Sequence, residues 1–209
     1  MKISLITVTY NSAMTLRDTI ESVLSQSYPN IEYIIVDGQS QDSTLSLIKE
    51  YEPLFKGKLR WISECDKGLY DAMNKGFRMA AGDVIGIINS DDLLAEPTVI
   101  AKVMNVFREH PDADAFYADL YYVAQNDTSR IIRPWISGTQ YSFKYGWHPA
   151  HPTFYVKREV YQKYGLFDLN FKFAADFELM LRLIEREHIK LIYFLEVLVR
   201  MRLGGTTSK

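Results

Sequence analysis

Cysteine is almost missing from this chain. Cys65 stands alone among 209 residues, which excludes an internal disulfide framework and fits a reducing compartment. Its expected role is that of a small buried apolar residue. No uncharged apolar run is long enough to span a bilayer. Met1-Lys2-Ile3-Ser4-Leu5-Ile6 enters an apolar strand without the h-region and cleavage site of a secretory leader. A cytoplasmic protein is expected, with contact at the inner face of the cell membrane left open. A charge bias is missing as well: the formal net charge of −2 gives no electrostatic ground for nucleic-acid binding, so an anionic ligand must be held by local features. The Gly-x-Gly-x-x-Gly turn of dinucleotide sites and the Walker loop ending in Lys-Ser/Thr are both absent. Dehydrogenase and P-loop readings fall with them.

What is present is an alternation of strand and helix. Hydrophobic residues make up 47% and charged residues 24%, values of a globular chain long enough for one substantial core. Strands are predicted at Ile3 to Thr9, Ile31 to Val36, near Leu59 to Ile62, and along Val84-Ile85-Gly86-Ile87-Ile88. Between them lie helices carrying Leu16, Ile20, Val23 and Leu24, then Leu45, Ile48 and Tyr51, then Leu69, Ala72, Met73, Gly76, Phe77 and Ala80, with Gly82 as the C′ residue of the last. Right-handed crossovers make this a parallel sheet covered on both faces, whose strand-end loops gather along one edge. Asn11, Asp37, Asp66 and Asp91 all fall in those loops.

A helix starting at Pro97 follows, carrying Ile100, Val103, Met104 and Phe107. Beyond it the alternation stops. Ala115 to Val123 and Ile131 to Trp135 read as strands around a polar turn at Asn126-Asp127, which makes the second half a mixed sheet. A further helix runs roughly from Phe177 to Glu187 with Asp176 at its start. One domain is expected over 1–209, in two halves at 1–95 and 96–209.

Asp91-Asp92 is the pair with most chemistry in it. Two adjacent carboxylates at the carboxyl end of a buried strand repel each other, and a divalent cation or a ring of hydroxyls relieves that repulsion. The same residues can also cap a helix or form a turn, as Asp often does. Single positions such as Asp37, Asp42 and Asp66 have equally plain roles in turns and caps. Their joint position on one sheet edge is what points to a ligand.

Thr7-Val8-Thr9-Tyr10-Asn11, Ile35-Val36-Asp37-Gly38-Gln39-Ser40-Gln41-Asp42-Ser43-Thr44, Asp66-Lys67-Gly68-Leu69-Tyr70-Asp71-Ala72-Met73-Asn74-Lys75-Gly76 and Asn89-Ser90-Asp91-Asp92 resemble segments of the inverting family 2 glycosyltransferases of the GT-A fold. That resemblance implies an α/β, Rossmann-like, mostly parallel sheet with helices on both faces, with a nucleotide-sugar-binding half at 1–95 and an acceptor and catalytic half at 96–209. It implies a donor site made from Thr9, Tyr10, Asn11, Asp37, Asp66, Asn74, Asn89 and Asp91, with Asp92 as ligand of Mn2+ or Mg2+. His151 is a second metal ligand or a contact to phosphate or acceptor; a structural histidine is the other reading. Ala174-Ala175-Asp176-Phe177-Glu178 resembles the family's helix start, where the acid is the general base, with Glu178 as the alternative. Arg200-Met201-Arg202-Leu203-Gly204-Gly205-Thr206-Thr207 resembles its C-terminal loop, in which Arg200 and Arg202 would meet the diphosphate. Trp135, Tyr141, Phe143, Tyr145, Trp147 and Tyr155 form a candidate platform for a sugar ring or lipid-linked acceptor. The implied activity is metal-dependent, inverting transfer from a nucleotide diphosphate sugar, with uridine diphosphate preferred, to a saccharide or polyprenyl-linked hydroxyl. Two other readings stand beside it: a non-catalytic nucleotide-sugar-binding paralogue, and a sugar nucleotidyltransferase.

Overall fold

The computed structural model describes residues 1–204. The first half runs β1 (Ile3–Thr9), α1 (Leu16–Leu24), β2 (Ile31–Asp37), α2 (Thr44–Tyr51), β3 (Leu59–Ser63), α3 (Leu69–Met79) and β4 (Val84–Ile87). The second half adds β5 (Leu93–Leu94), α4 (Val99–Glu109), β6 (Ala115–Ala124), β7 (Asp127–Trp135), β8 (Tyr155–Lys157), α5 (Arg158–Tyr164), α6 (Ala175–Leu181) and β9 (Leu191–Arg202). These strands form one sheet in the order β3-β2-β1-β4-β8-β6-β9-β5, with β7 on β6. Strands β1 to β4 are mutually parallel, in a register that sets Thr9 beside Asp37 and Asp37 beside Ser63. The second half is mixed: β8 is antiparallel to β4 and β6, and β9 is parallel to β6.

Every residue of β1 and β2 is buried, because helices lie on both faces and leave no polar side to alternate with. On one face Leu16, Ile20, Leu47, Ile48, Val103 and Phe107 of α1, α2 and α4 pack on Leu5, Tyr33 and Ile35. On the other, Met73, Phe77, Tyr161 and Leu179 of α3, α5 and α6 pack on Ile6, Val8 and Ile34. No helix among the described residues is long and apolar enough to cross a membrane.

Several local expectations change. Helix α4 begins at Val99, not Pro97, and β7 begins at Asp127 because it pairs with β6 right up to the turn. Asp176 lies inside α6, which starts at Ala175 after Ala174 turns the chain through φ 60° and passes into a π turn at Arg182–Arg186. Leu69 is exposed at the first turn of α3. Cys65 is exposed too, its thiol 2.8 Å from Gln39 Oε1. Strand β8, helix α5 and strand β9 carry no clear periodicity and were not anticipated.

Gly82 is not a helix cap. Residue 80 ends α3 in extended conformation, and the Gly82 amide donates to Ser4 Oγ at 2.8 Å. A Cβ at Gly82 would sit 2.5 Å from the Ser4 backbone nitrogen, so glycine is required for backbone to pass backbone. Gly82→Ala is expected to lower stability by about 1–3 kcal/mol, read as a lower urea midpoint at unchanged slope. An unchanged midpoint would mean that the β1 edge yields.

Candidate active site

The parallel strand ends form the first part of a cleft. Asp37 is fully buried, and its carboxylate accepts from the Ser40 amide at 3.0 Å and Ser63 Oγ at 2.6 Å. Asn11 sits in the left-handed region at φ 49°. There its amide donates to Ser40 Oγ and its Oδ1 accepts from the Gln41 amide, both at 2.8 Å. These side chains build the loops. The groups left to face a ligand are different ones. Asp66 accepts from the Gly68 amide through Oδ1 at 2.8 Å. Its Oδ2 hangs over Gly38, where a Cβ would come within 2.6 Å of it and 3.5 Å of the Tyr10 ring. Tyr10 is 64% exposed, a flat ring beside a carboxylate. Thr9 Oγ1 is buried without a hydrogen-bond partner among the described residues.

The second part is the turn after β4. Asp92 is 1% exposed. Its Oδ2 accepts from Asn89 Nδ2 at 2.8 Å and its Oδ1 from the Arg202 amide at 3.2 Å. Hydroxyls of α1 and of the residue before it fix the turn: Thr15 Oγ1 donates to the Ser90 carbonyl at 2.9 Å and Thr19 Oγ1 to the Asp92 carbonyl at 2.8 Å. Burial, with the Asp91 charge beside it, pushes the Asp92 carboxyl well above the usual range; burial also raises Asp91.

Arg202 departs from the diphosphate role. Its guanidinium donates to the Asp91 carbonyl at 2.6 Å and the Gln125 carbonyl at 3.2 Å, and pairs with Asp18. A side chain buried with those donors taken is a strap over the acidic turn. Arg200 reaches the Thr128 carbonyl at 3.3 Å, and its buried Nε has no partner among the described residues. Gly205, Thr206 and Thr207 lie outside the described residues.

The third part is α6. Asp176 Oδ1 accepts from Tyr70 Oη at 2.9 Å; burial and the Asp176 charge push the Tyr70 phenol up to about 12. Burial holds the His151 imidazole below its ordinary value against the pull of Asp176, and the ring lies edge-on to Phe167 at 5.9 Å. The charge acting on His151 is thus Asp176, whereas Asp92 is faced by Asp91 and Arg202. Among the described residues no three His, Cys, Asp or Glu side chains converge on a metal-sized point. Asn74 also changes role: its amide is spent on both backbone groups of Phe167, at 2.9 and 3.1 Å. Glu178 is held by Arg182 at 2.8 and 3.1 Å, which removes it as a free base.

Rings link the two acidic centres. Burial above all, with a smaller push from the Asp92 charge, raises the Tyr122 phenol. Tyr122 stacks on Trp135 at 6.0 Å, Trp135 meets His148 edge-on at 5.2 Å, and His148 meets Phe177, the neighbour of Asp176, at 5.5 Å. Sequence reasoning missed Tyr70 and Tyr122, since neither spacing nor composition joins Tyr70 to an acid 106 residues away.

The family model described as Glycosyl transferase family 2 matches residues 4–170. This chain belongs to that family. It is a glycosyltransferase. An uncharacterized glycosyltransferase of Mycobacterium tuberculosis is 30% identical over 187 residues, covering 86% of this chain and 68% of its own. A PGL/p-HBAD biosynthesis glycosyltransferase of Mycobacterium bovis is 27% identical over 186 residues with the same coverage. Among solved structures, S. aureus TarS 1-349 in complex with UDP superposes with a TM-score of 0.73 at 18% identity, covering 98% of this chain and 61% of that one. The mannosyltransferase PcManGT from Pyrobaculum calidifontis, in complex with GDP-Man and Mn2+, gives 0.74 at 19%, covering 98% and 58%. The shared fold is GT-A, and this chain spans about three fifths of those two solved chains.

A carboxyl raised in the fold keeps a proton that the unfolded chain releases. Burying Asp92 therefore costs stability increasingly from about pH 4 upward, by about 1.4 kcal/mol per pH unit at most, until the folded carboxyl ionises. Metal-free Asp92→Asn is expected to melt above the parent at pH 8, with the gap narrowing toward pH 4. A gap independent of pH would show Asp92 already ionised in the fold.

Proposed function

We propose that this family 2 glycosyltransferase moves a sugar from a uridine diphosphate sugar to a saccharide or lipid-linked hydroxyl, with inversion, and that it requires Mn2+ or Mg2+. The observation that carries the reading is the division of labour between two acidic centres. Asp91-Asp92 is sunk at the end of β4 and strapped by Arg202, while Asp176 stands across the ring wall with one oxygen held by Tyr70.

The donor set fits a hard cation. Two carboxylates in a polar turn suit Mg2+ or Mn2+, and such ions commonly take few protein ligands and complete their shell with phosphate and water. Asp92 would hold the ion, which when bound stabilises negative charge on the departing diphosphate. Tyr10 and Asp66 suit a planar base, by stacking and by hydrogen bonding. Asp176 takes the acceptor's proton as that oxygen bonds to the anomeric carbon and the bond to the diphosphate breaks. A single displacement by a single base inverts the anomeric centre, and Glu178, tied to Arg182, is not a second participant.

Glycolipid or surface-polysaccharide assembly is the setting proposed, in keeping with the name of the mycobacterial PGL/p-HBAD relative. A lipid-carried acceptor would bring the cleft to a membrane surface, and Phe173, Tyr141 and Tyr145 are exposed residues suited to that contact. TarS was solved with UDP and PcManGT with GDP-Man, so uridine and guanosine diphosphates are the pair to compare. A ligand that binds only the folded chain raises its melting temperature. Uridine diphosphate with Mn2+ is expected to do so, and more than its guanosine counterpart; no rise with either would overturn the donor reading. Asp176→Asn should keep that rise and lose transfer by about a hundredfold or more, measured as nucleotide release with acceptor.

A further inference from the structure

We propose that Tyr70 is the positioning residue of the base, and that Asn74, four residues on along α3, serves it rather than the nucleotide. This rests on the reading of Asp176 as the base.

A general base works only when the oxygen that takes the proton is turned toward the acceptor. Helix α6 offers little to enforce that. It has seven residues, begins without a side-chain cap after the left-handed Ala174, and has its other acid, Glu178, closed in a pair with Arg182. The hydrogen bond to the Asp176 carboxylate comes from the other half of the chain, from Tyr70 Oη to Oδ1 at 2.9 Å. Oδ2 receives none among the described residues, so one oxygen is pinned and the other left for the acceptor proton.

Tyr70 is itself held. Its ring packs on Phe167 at 5.2 Å, and Phe77 supports Phe167 from a further side at 5.7 Å. The Phe167 backbone is gripped through both its N–H and its C=O by the Asn74 amide. Tyr70 and Asn74 are i and i+4 on one helix and so share a face; one meets the base and the other fixes the loop under the first. A buried amide with both ends satisfied resists displacement, because each broken bond leaves an unpaired polar group. The same helix starts from Asp66-Lys67-Gly68, the loop that overhangs Gly38 at the donor end. The segment read from sequence as nucleotide-binding therefore joins the donor pocket to the base.

The ionisable groups facing Asp176 are Tyr70 from α3 and His151 from the turn before β8, while Glu178 of its own helix is closed in a pair with Arg182 of the π turn that follows. Burial disfavours the charged imidazole, and the Tyr70 phenol stays protonated through the working range. Tyr70→Phe thus removes one donor and leaves the ring packing in place.

The test is steady-state kinetics of the full chain, with kcat and the donor KM measured separately for the parent, Tyr70→Phe and Asp176→Asn. Tyr70→Phe is expected to lower kcat about tenfold with the donor KM unchanged. Parental kcat in Tyr70→Phe when Asp176→Asn is inactive would overturn the proposal, as would a rise in donor KM that accounts for the whole loss. If Asp176→Asn still transfers, the base assignment is what fails. Asn74→Ala should lower kcat and leave uridine diphosphate affinity within about twofold of the parent. Lost affinity with unchanged kcat would return Asn74 to the nucleotide site.

Discussion

Two adjacent carboxylates can be buried at a strand end only if donors are brought to them, and here the last strand brings them. Strand β9 runs parallel to β6, pairs with the two-residue β5 just after the acidic turn, and ends at Arg202. There the backbone amide reaches the Asp92 carboxylate while the guanidinium covers the Asp91 carbonyl and pairs with Asp18 of α1. A residue 110 positions away in sequence thus closes a site begun by β4. The mixed half of the sheet is what delivers it, because a strand inserted beside β6 is the route by which the end of the chain returns to the first half's edge.

The strap neutralises only part of the charge it covers. Asp92 accepts from two neutral N–H groups and stands beside Asp91, so its ionised form remains costly. Functional sites commonly hold such unrelieved groups at a cost in stability. The Thr9 hydroxyl and the Oδ2 of Asp66 and Asp176, which have no hydrogen-bond donor or acceptor opposite them among the described residues, belong to the same class. Asp37, Asn11 and Asn74 form the opposite class, with their polar atoms satisfied by neighbouring loops. Division of the polar residues into those that build the cleft and those that face it follows from which atoms already have partners.

The first half was legible because its elements are local. Continuous apolar runs mark strands covered on both faces, apolar spacing marks the helices between them, and right-handed crossovers then place Asp37, Asp66 and Asp91 on one edge whatever the details of packing. Tyr155–Lys157, Arg158–Tyr164 and Leu191–Arg202 were not legible. The first two are too short for a period to develop, and β9 is interrupted at Glu196, where the register with β6 shifts between Ala118 and Leu120.

Residue types and spacing alone determined the sheet of the first half, the acidic turn at its edge, and Asp176 near the start of a later helix, since each is set by neighbours within a few positions. Tertiary structure decided which atoms of those residues are spent and which are free. Arg202 became a strap and Asn74 a clamp on Phe167. His151 came under the charge of Asp176, and Tyr70 met its acid across 106 residues. Hydrogen bonds and burial between distant segments depend on where the whole sheet carries each loop, and no local pattern in the chain encodes that.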